Sequence, residues 1–162
     1  MPTRRTLRTL QSVIRVVPLP LRVLTSPSTR IAELQADTII RRYPHMRIAS
    51  LRFSWSVPDR SHAEHPDPEV RKRDLWGYVQ EDSVADAFLL AVTDESGRWC
   101  GHEAFVITAP SVAAVRDNDI LRRTYFPEVP IKENKVTSGE VGFFDCGKAE
   151  RLLGWVHRDE PL

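Results

Sequence analysis

The spacing of apolar residues predicts a helix over residues 31–43, in the segment "IAELQADTIIRRY". Side chains three and four positions apart share one face of an α-helix, and the apolar face is expected to turn inward. Pro44 restricts the residue before it to extended backbone, so the helix is expected to end there. The predicted inward face comprises Ile31, Leu34, Gln35, Thr38 and Ile39.

Three further segments have the character of strands. Residues 47–55, "RIASLRFSW", pass from alternating to continuous apolar character, and residues 102–110, "HEAFVITAP", form a second run of this kind. Residues 75–79, "LWGYV", predict a shorter strand. Residues 58–70 contain three prolines and many charges, which indicates an exposed loop.

Helices are predicted between and after these strands. Residues 82–94, "DSVADAFLLAVTD", predict a helix with Asp82 or Ser83 as N-cap. Residues 111–126 predict helix over their second half, ending before Pro127. The residues of the 82–94 helix that are predicted to face inward are Val84, Ala87, Phe88 and Ala91.

The segment "FFDCGKAERLLGW", residues 143–155, predicts a short strand followed by a helix that Asp145 caps. Gly154 is placed where a helix ends, because glycine readily adopts the left-handed conformation of a C-terminal cap. The apolar face of this helix comprises Ala149, Leu152 and Leu153.

The alternating order of helices and strands predicts an α/β fold with parallel strands and crossover helices. Residues 47–54 and 103–108 are the two convincing central strands, and two strands are too few for a covered parallel sheet. The sequence therefore predicts part of a larger fold, with the edge of residues 47–54 exposed.

Charge divides the chain into two unequal parts. The first 32 residues carry six arginines and no acidic residue, although the whole chain of 162 residues has a net charge of +1. Residues 1–30 are predicted to be a disordered or aberrant basic leader. Their Arg- and Ser-rich composition also resembles a mitochondrial presequence, but Pro18, Pro20 and Pro27 would interrupt the helix such a peptide needs. The expected location is cytoplasmic, with mitochondrial targeting as the alternative.

The composition argues against several classes of function. The body that follows the leader is mildly acidic, which predicts no nucleic-acid partner, and no apolar run is long enough to cross a bilayer. The two cysteines, Cys100 and Cys146, have no metal or redox spacing and are expected to be reduced thiols. The cluster "SHAEHPDPE" offers His62, Glu64, His65 and Asp67, but on a proline-interrupted loop, so no metal site is predicted.

Six segments, taken in order from Ile31 to Trp155, resemble the C-terminal half of extended short-chain dehydrogenases/reductases, the NAD-dependent epimerase/dehydratase family. They are "RRYPHMRIASLRFSW", "RDLWGYV", "VADAFLLAV", "GHEAFVITAP", "LRRTYFPEVPI" and "FFDCGKAERLLGW". The resemblance implies a partial Rossmann-like fold, its last parallel strands and helices, with the small C-terminal substrate-binding part. Residues 31–162 would be the C-terminal part of such a domain.

The same resemblance implies that this chain lacks the catalytic groups of the family. The glycine-rich turn that holds the pyrophosphate of NAD or NADP has no counterpart, because the first glycine of the chain is Gly77. Thr25 and Thr29 stand where the family has its catalytic Tyr and Lys, and neither supplies an acidic phenol or an ammonium group. No catalytic residue is therefore predicted, and tight binding of NAD or NADP is not expected.

Five residues are assigned to binding through the resemblance. Arg73 matches an arginine that reaches a phosphate or carboxylate of the substrate, and Tyr78 lies in the same substrate-binding segment. Phe53, Ser54 and Trp55 follow the strand at the point where the family's chain passes the nicotinamide ring.

The chain is thus predicted to be a fragment of an NAD(P)-dependent sugar or nucleotide-sugar epimerase, dehydratase or dehydrogenase, inactive alone. One alternative is a non-catalytic interaction protein that pairs with an intact relative. The other is a sugar-binding protein derived from the family, without redox chemistry.

Overall fold

The computed structural model describes residues 14–20, 27–131, 138–139 and 141–158. The chain is a mixed α/β structure with short parallel strands, in agreement with the predicted class. Its elements follow in the order β1 (Ile14–Pro20), α1 (Pro27–Arg42), β2 (Arg47–Phe53), β3 (Trp55–Val57), α2 (Arg60–Ala63), a 3₁₀ helix (Pro68–Asp74), β4 (Tyr78–Gln80), α3 (Glu81–Thr93), β5 (Gly101–Ile107), α4 (Asn118–Tyr125) and α5 (Gly147–Leu153).

Parallel pairing organises the strands. Within the described residues, β1, β2 and β5 form one sheet in that order, and β3 and β4 form a separate parallel pair. In the larger sheet, Arg47 at the start of β2 aligns with Ile14 of β1 and with Gly101 of β5. β2 is therefore the central strand. The prediction of an exposed edge along residues 47–54 is wrong, because β1 pairs with that edge.

Part of the predicted leader, residues 1–30, lies in regular elements. Residues 14–20 pair with β2, and residues 27–30 form the first turn of α1. Pro18 and Pro20 were expected to interrupt a helix, whereas a strand at the edge of a sheet tolerates proline. The rest of the predicted leader, residues 1–13 and 21–26, lies outside the described residues.

The two faces of the larger sheet contact different helices. Ser50 and Arg52 of β2 face α1. Arg52 contacts Glu33 of α1 directly, and Ser50 contacts His102, which in turn contacts Asp37 of α1. Ala49 and Leu51 face the opposite side and belong to the main hydrophobic core. That core draws on α3, α5 and the strands and comprises Ala49, Leu51, Val79, Val84, Ala87, Ala91, Trp99, Phe105, Ile107, Ala149, Leu153 and Trp155.

Helix α1 ends at Arg42, before Pro44, as predicted, but its orientation differs from the prediction. Ile31 is 54% exposed and Leu34 is 63% exposed, whereas Ala36 is buried. The predicted inward face is therefore wrong. The physical reason is that Glu33 forms an ion pair with Arg52 and that the Asp37 carboxylate lies 2.7 Å from Nδ1 of His102, and these contacts turn the acidic side of the helix toward the sheet.

Helix α3 has the predicted inward residues, since Val84, Ala87 and Ala91 are buried and Phe88 packs against the same core. Its N-cap is Gln80, so the prediction of Asp82 or Ser83 at that position is wrong. The Ser83 hydroxyl instead donates to the carbonyl oxygen of Arg158 at 3.1 Å and accepts from its N–H at 2.8 Å.

The predicted strand over residues 75–79 is displaced to Tyr78–Gln80. Leu75 and Trp76 adopt left-handed backbone with φ of 50° and 53°, a conformation that non-glycine residues rarely occupy and that cannot continue a strand. Trp76 is buried, and its indole Nε1–H donates to the carbonyl of Pro68 at 2.8 Å. Burial of this large side chain compensates for the local backbone strain.

The C-terminal helix is confirmed, but its N-cap is Cys146, so the predictions of a cap at Asp145 and of a short strand before it are wrong. Residues 143 and 144 form a bend, and residues 145 and 146 have no regular secondary structure. The Asp145 carboxylate accepts from the Gly147 N–H at 2.9 Å, and Gly154, with φ of 73°, ends the helix α5. Helix α4 ends before Pro127, as predicted. The loop predicted at 58–70 contains the short helix α2 and the start of the 3₁₀ helix.

Candidate functional site: a cleft beside Trp55

A cleft of about 630 Å³ opens where β2 ends and β3 begins. Ligands of open α/β sheets bind outside the carboxyl ends of parallel strands, and this cleft includes Phe53, the last residue of β2. Its other side comes from α2 and the 3₁₀ helix. The lining residues are Phe53, Ser54, Trp55, Ser56, His62, Ala63, Glu64, His65, Val70, Arg71 and Asp74.

Trp55 is the exposed aromatic residue of the cleft. All four tryptophans of the chain lie within the described residues, and Trp76, Trp99 and Trp155 are buried while Trp55 is 52% exposed. The guanidinium carbon of Arg71 lies 4.3 Å from the centre of the Trp55 ring. A cation over the face of an indole is attracted to the negative potential of the ring, so Arg71 holds Trp55 in place from one side.

Arg71 is buried, and backbone carbonyls fix its position. Nη1 donates to the carbonyl of Ala63 at 2.9 Å, and Nη2 donates to the carbonyl of Gly77 at 3.0 Å. The carboxylate of Asp74 lies 3.6 Å from Nε. Arg71 and Asp74 are three residues apart, and the 3₁₀ helix brings such residues onto the same side. The guanidinium therefore joins the end of α2, the turn before β4 and the 3₁₀ helix behind the cleft.

Helix α2 presents a carboxylate–imidazole pair at the mouth of the cleft. The Asp59 carboxylate caps α2, accepting from the Ser61 N–H at 2.8 Å and the Ser61 hydroxyl at 2.5 Å, and its second oxygen lies 3.0 Å from Nδ1 of His62. The hydrogen bonds from Ser61, and then the contact with His62, lower the pKa of Asp59 to about 2. Asp59 is thus anionic at neutral pH, and it holds the His62 ring by one nitrogen.

Three of the predicted site residues come together at this cleft. Phe53 lies edge-on to Phe88 with ring centres 6.4 Å apart, and the Ser54 hydroxyl donates to Oγ1 of Thr108 at 2.5 Å. Phe53 and Ser54 thus line the cleft and also contact the interior, whereas Trp55 is exposed.

The other two predicted residues lie elsewhere. Arg73 is exposed and does not line the cleft, while Arg71, two positions earlier, occupies its wall. Tyr78 is buried, and its hydroxyl lies 3.1 Å from Oγ of Ser111, so it belongs to the core. The spacing of three between Arg71 and Asp74 is visible in the sequence, but it indicates a contact only once residues 68–74 are known to be helical.

A second polar cluster lies on the α1 side of the larger sheet. Oγ of Ser50 lies 2.8 Å from Nε2 of His102, and Nδ1 of His102 lies 2.7 Å from the carboxylate of Asp37. These distances match a Ser-His-Asp relay. However, Ser50 is fully buried and the partly exposed member is Asp37, which reverses the access that a nucleophile needs. The cluster attaches α1 to β2 and β5.

The residues predicted to lie near a nicotinamide differ in their contacts. Of the three residues predicted to pass the nicotinamide, Phe53 and Ser54 are engaged in interior contacts, and the chain has no glycine-rich turn for the pyrophosphate. Thr25 lies outside the described residues, and Thr29 lies in the first turn of α1. Among the described residues, no group of three or more His, Cys, Asp and Glu side chains is arranged to hold a metal ion.

Within the same described part of the chain, no helix has the length and apolar character needed to span a membrane. No protein-family model matches the sequence, and no match is found among curated proteins or solved structures.

Proposed function

We propose that this chain binds a sugar or nucleotide-sugar in the cleft beside Trp55, as the substrate-binding part of a protein related to extended short-chain dehydrogenases/reductases, and performs no hydride transfer by itself. The observation that carries the proposal is the half-exposed Trp55 ring, which Arg71 supports at the carboxyl end of β2. The sequence resemblance of residues 31–155 supplies the ligand class.

The chemistry of the lining suits a carbohydrate. A pyranose presents C–H groups on its faces and hydroxyls around its edge, so it packs on an aromatic ring while polar groups bind the hydroxyls. Trp55 provides the ring, and Glu64, His62 and His65 provide polar groups around the opening. The buried charge of Arg71 lies beside that of Asp74, so the wall does not require an anionic ligand for balance.

The architecture supports the partial Rossmann-like fold within this proposal. β1, β2 and β5 are parallel, with α1 on one face and α3 and α5 on the other, which is the layer order of a doubly wound sheet. A cofactor bound by such a protein would accept or donate the hydride. The described residues of this chain would only bind the sugar and orient it.

Acrylamide quenching of tryptophan fluorescence tests the proposal directly. Trp55 is the exposed tryptophan, so quenching reports on its ring, and UDP-glucose is expected to protect it as the ligand concentration rises. Trp55→Ala should abolish binding measured by calorimetry, whereas Arg73→Ala at an exposed position outside the cleft should leave it unchanged.

Two results would contradict the proposal. One is that UDP-glucose, UDP-glucuronate and glucose all fail to bind the folded wild-type chain. The other is that Trp55→Ala binds them as the wild type does. Tight binding of NAD in the absence of a sugar would contradict the assignment of the cleft to substrate. If none of these ligands binds while an intact relative does, the interaction protein predicted as an alternative would be favoured.

A further inference from the structure

One of the two ring nitrogens of His62 is already engaged where this side chain lines the cleft. Nδ1 lies 3.0 Å from Oδ2 of Asp59, and the His62 side chain is 58% exposed. Since the pKa of Asp59 is lowered to about 2, Asp59 is an anion that can only accept hydrogen bonds at neutral pH. The hydrogen of a neutral His62 ring is therefore held on Nδ1, and the lone pair is left on Nε2.

Nε2 is the atom that His62 offers to a ligand. Within the part of the chain that the structure describes, Nε2 of His62 has no hydrogen-bond partner. His65 is the other histidine of the cleft, and its Nδ1 lies 3.0 Å from the backbone oxygen and 3.1 Å from the backbone nitrogen of Asp67. Those neutral groups include an acceptor and a donor, so they do not fix one tautomer as the Asp59 anion does. His62 is therefore the histidine with a defined acceptor.

The charges around His62 favour a hydroxyl over an anionic group as its ligand contact. The other charged or titratable side chains of α2, its caps and the cleft lining are Asp59, Arg60, Glu64, His65, Arg71 and Asp74. Arg60 lies 3.3 Å from Glu64, which offsets its charge. Arg71 and Asp74 are likewise 3.6 Å apart. The strands β3 and β4, which pack against α2, add only the buried phenol of Tyr78. A ligand group at Nε2 is therefore close to the Asp59 anion, which repels a phosphate or carboxylate.

We propose that Nε2 of His62 accepts a hydrogen bond from a hydroxyl of the ligand and that protonation of His62 weakens binding in the cleft. The inference rests on the proposed function, because the sugar supplies the hydroxyl. An imidazole ordinarily changes charge between pH 5 and pH 8. Protonation replaces the lone pair on Nε2 by an N–H group, and a ligand that covers the ring removes water from a charged group at a greater cost than from a neutral one. Affinity is thus coupled to pH.

Asp59 acts through His62 as a positioning residue. Asp59→Asn keeps a side chain that can cap α2 but removes the anion beside Nδ1. The hydrogen of the neutral ring is expected to move from Nδ1 toward Nε2 in this variant, and binding at pH 8 is expected to weaken with it. Nitrogen NMR of the His62 ring at pH 8 measures the tautomer in the absence of ligand. A wild-type ring with its hydrogen on Nε2 would overturn the proposal.

The test is calorimetric titration of the full chain with UDP-glucose at pH 8 and at pH 5. Wild-type affinity is expected to be about tenfold lower at pH 5, the effect of one lost hydrogen bond. His62→Phe has no acceptor and should bind about tenfold more weakly than the wild type at pH 8. His62→Gln keeps an acceptor in its amide oxygen and gains no proton, so it should bind equally at both pH values. The matched control is His45→Gln, at an exposed histidine between α1 and β2, which should retain the pH dependence.

The outcomes separate this proposal from the proposed function. If UDP-glucose binds the wild type equally at both pH values, or if the pH dependence persists in His62→Gln, the role of His62 is overturned and sugar binding stands. Stronger binding at pH 5 also overturns it, because an anionic group of the ligand would then lie against His62. If UDP-glucose binds at neither pH, both proposals are overturned. Circular dichroism at both pH values verifies that the wild type and each variant are folded.

Discussion

The Arg71 guanidinium lies 4.3 Å from the centre of the Trp55 ring, and the two side chains form the wall of the cleft beside β2. One is buried and the other is half exposed. The buried member keeps the exposed one in position, because it is itself bound to two backbone carbonyls and lies beside Asp74. The pair therefore links the stability of the fold to the shape of the cleft.

Replacement of Arg71 is expected to be strongly destabilising. Arg71→Met removes the donors to Ala63 and Gly77 and leaves the buried Asp74 carboxylate without the nearby guanidinium, which costs on the order of 3 kcal/mol of unfolding free energy. Arg73→Met, at an exposed position two residues later, should change the unfolding free energy by about 0.5 kcal/mol or less. Urea unfolding of the two variants measures the difference, and equal values would contradict the assigned role of Arg71.

Ser50 is expected to be structural despite its relay geometry. A fluorophosphonate probe should leave Ser50 unlabelled in the folded chain, because the hydroxyl is fully buried beneath α1. Ser50→Ala should lower the unfolding free energy by about 1–3 kcal/mol, since it leaves a nitrogen of the largely buried His102 ring without its partner. Intact-mass spectrometry detects labelling. A stoichiometric adduct that Ser50→Ala abolishes would show that the relay is a nucleophilic site.

The acid titration of Asp59 should depend on Ser61. Hydrogen bonds from Ser61, followed by the His62 contact, lower the pKa of Asp59 from 3.8 to about 2, so Ser61→Ala should move it back toward 3.8. Because the folded-state pKa is depressed, the stabilising contribution is present above pH 3.8 and is lost as the pH falls toward 2. Carboxyl carbon NMR of the wild type and of Ser61→Ala gives both titrations. An Asp59 pKa that is the same in the two proteins would refute this dependence.

Local patterns in the sequence identified the elements of the core but not the contacts between them. The inward residues of α3 follow from helical spacing, because Val84, Ala87 and Ala91 meet a continuous apolar sheet face. Helical spacing gives the wrong inward face for α1. There the Glu33–Arg52 and Asp37–His102 contacts outweigh the burial of Ile31 and Leu34. Partners 19 and 65 residues apart in sequence cannot be recognised from local spacing.

The residues of the candidate site were likewise predicted only in part from the sequence. Phe53, Ser54 and Trp55 were placed by their position after a predicted strand, and the end of β2 brings them to the cleft. Arg71 was missed because it is one of three consecutive basic residues, 71–73, between the predicted loop of residues 58–70 and the predicted strand of residues 75–79. Which of these basic side chains turns inward depends on the 3₁₀ helix and on the left-handed backbone at Leu75. Asp67 followed by Pro68 is a start signal for the helix, but the left-handed conformation of a leucine has no sequence signal.

The two thiols should differ widely in reactivity. Burial raises the pKa of the Cys146 thiol above its ordinary value of 9.0, and its S–H donates to the Thr108 carbonyl at 3.4 Å, whereas Cys100 is exposed. Since the thiolate is the reactive form, iodoacetamide at pH 8 is expected to alkylate Cys100 first. Mass spectrometry of Cys100→Ser and Cys146→Ser follows each site separately, and denaturant should make the two rates similar.

The raised pKa of Cys146 also has a consequence for the stability of the fold. A folded-state pKa above the unfolded value stabilises the fold below pH 9.0, and this contribution is lost as the pH rises through the folded-state pKa. The wild type should therefore lose more unfolding free energy than Cys146→Ala between pH 8 and pH 10, because alanine has no thiol to ionise. Urea unfolding at the two pH values measures the loss. Equal losses in both proteins, or alkylation of Cys146 as fast as Cys100 in the folded chain, would show that the thiol is open to solvent.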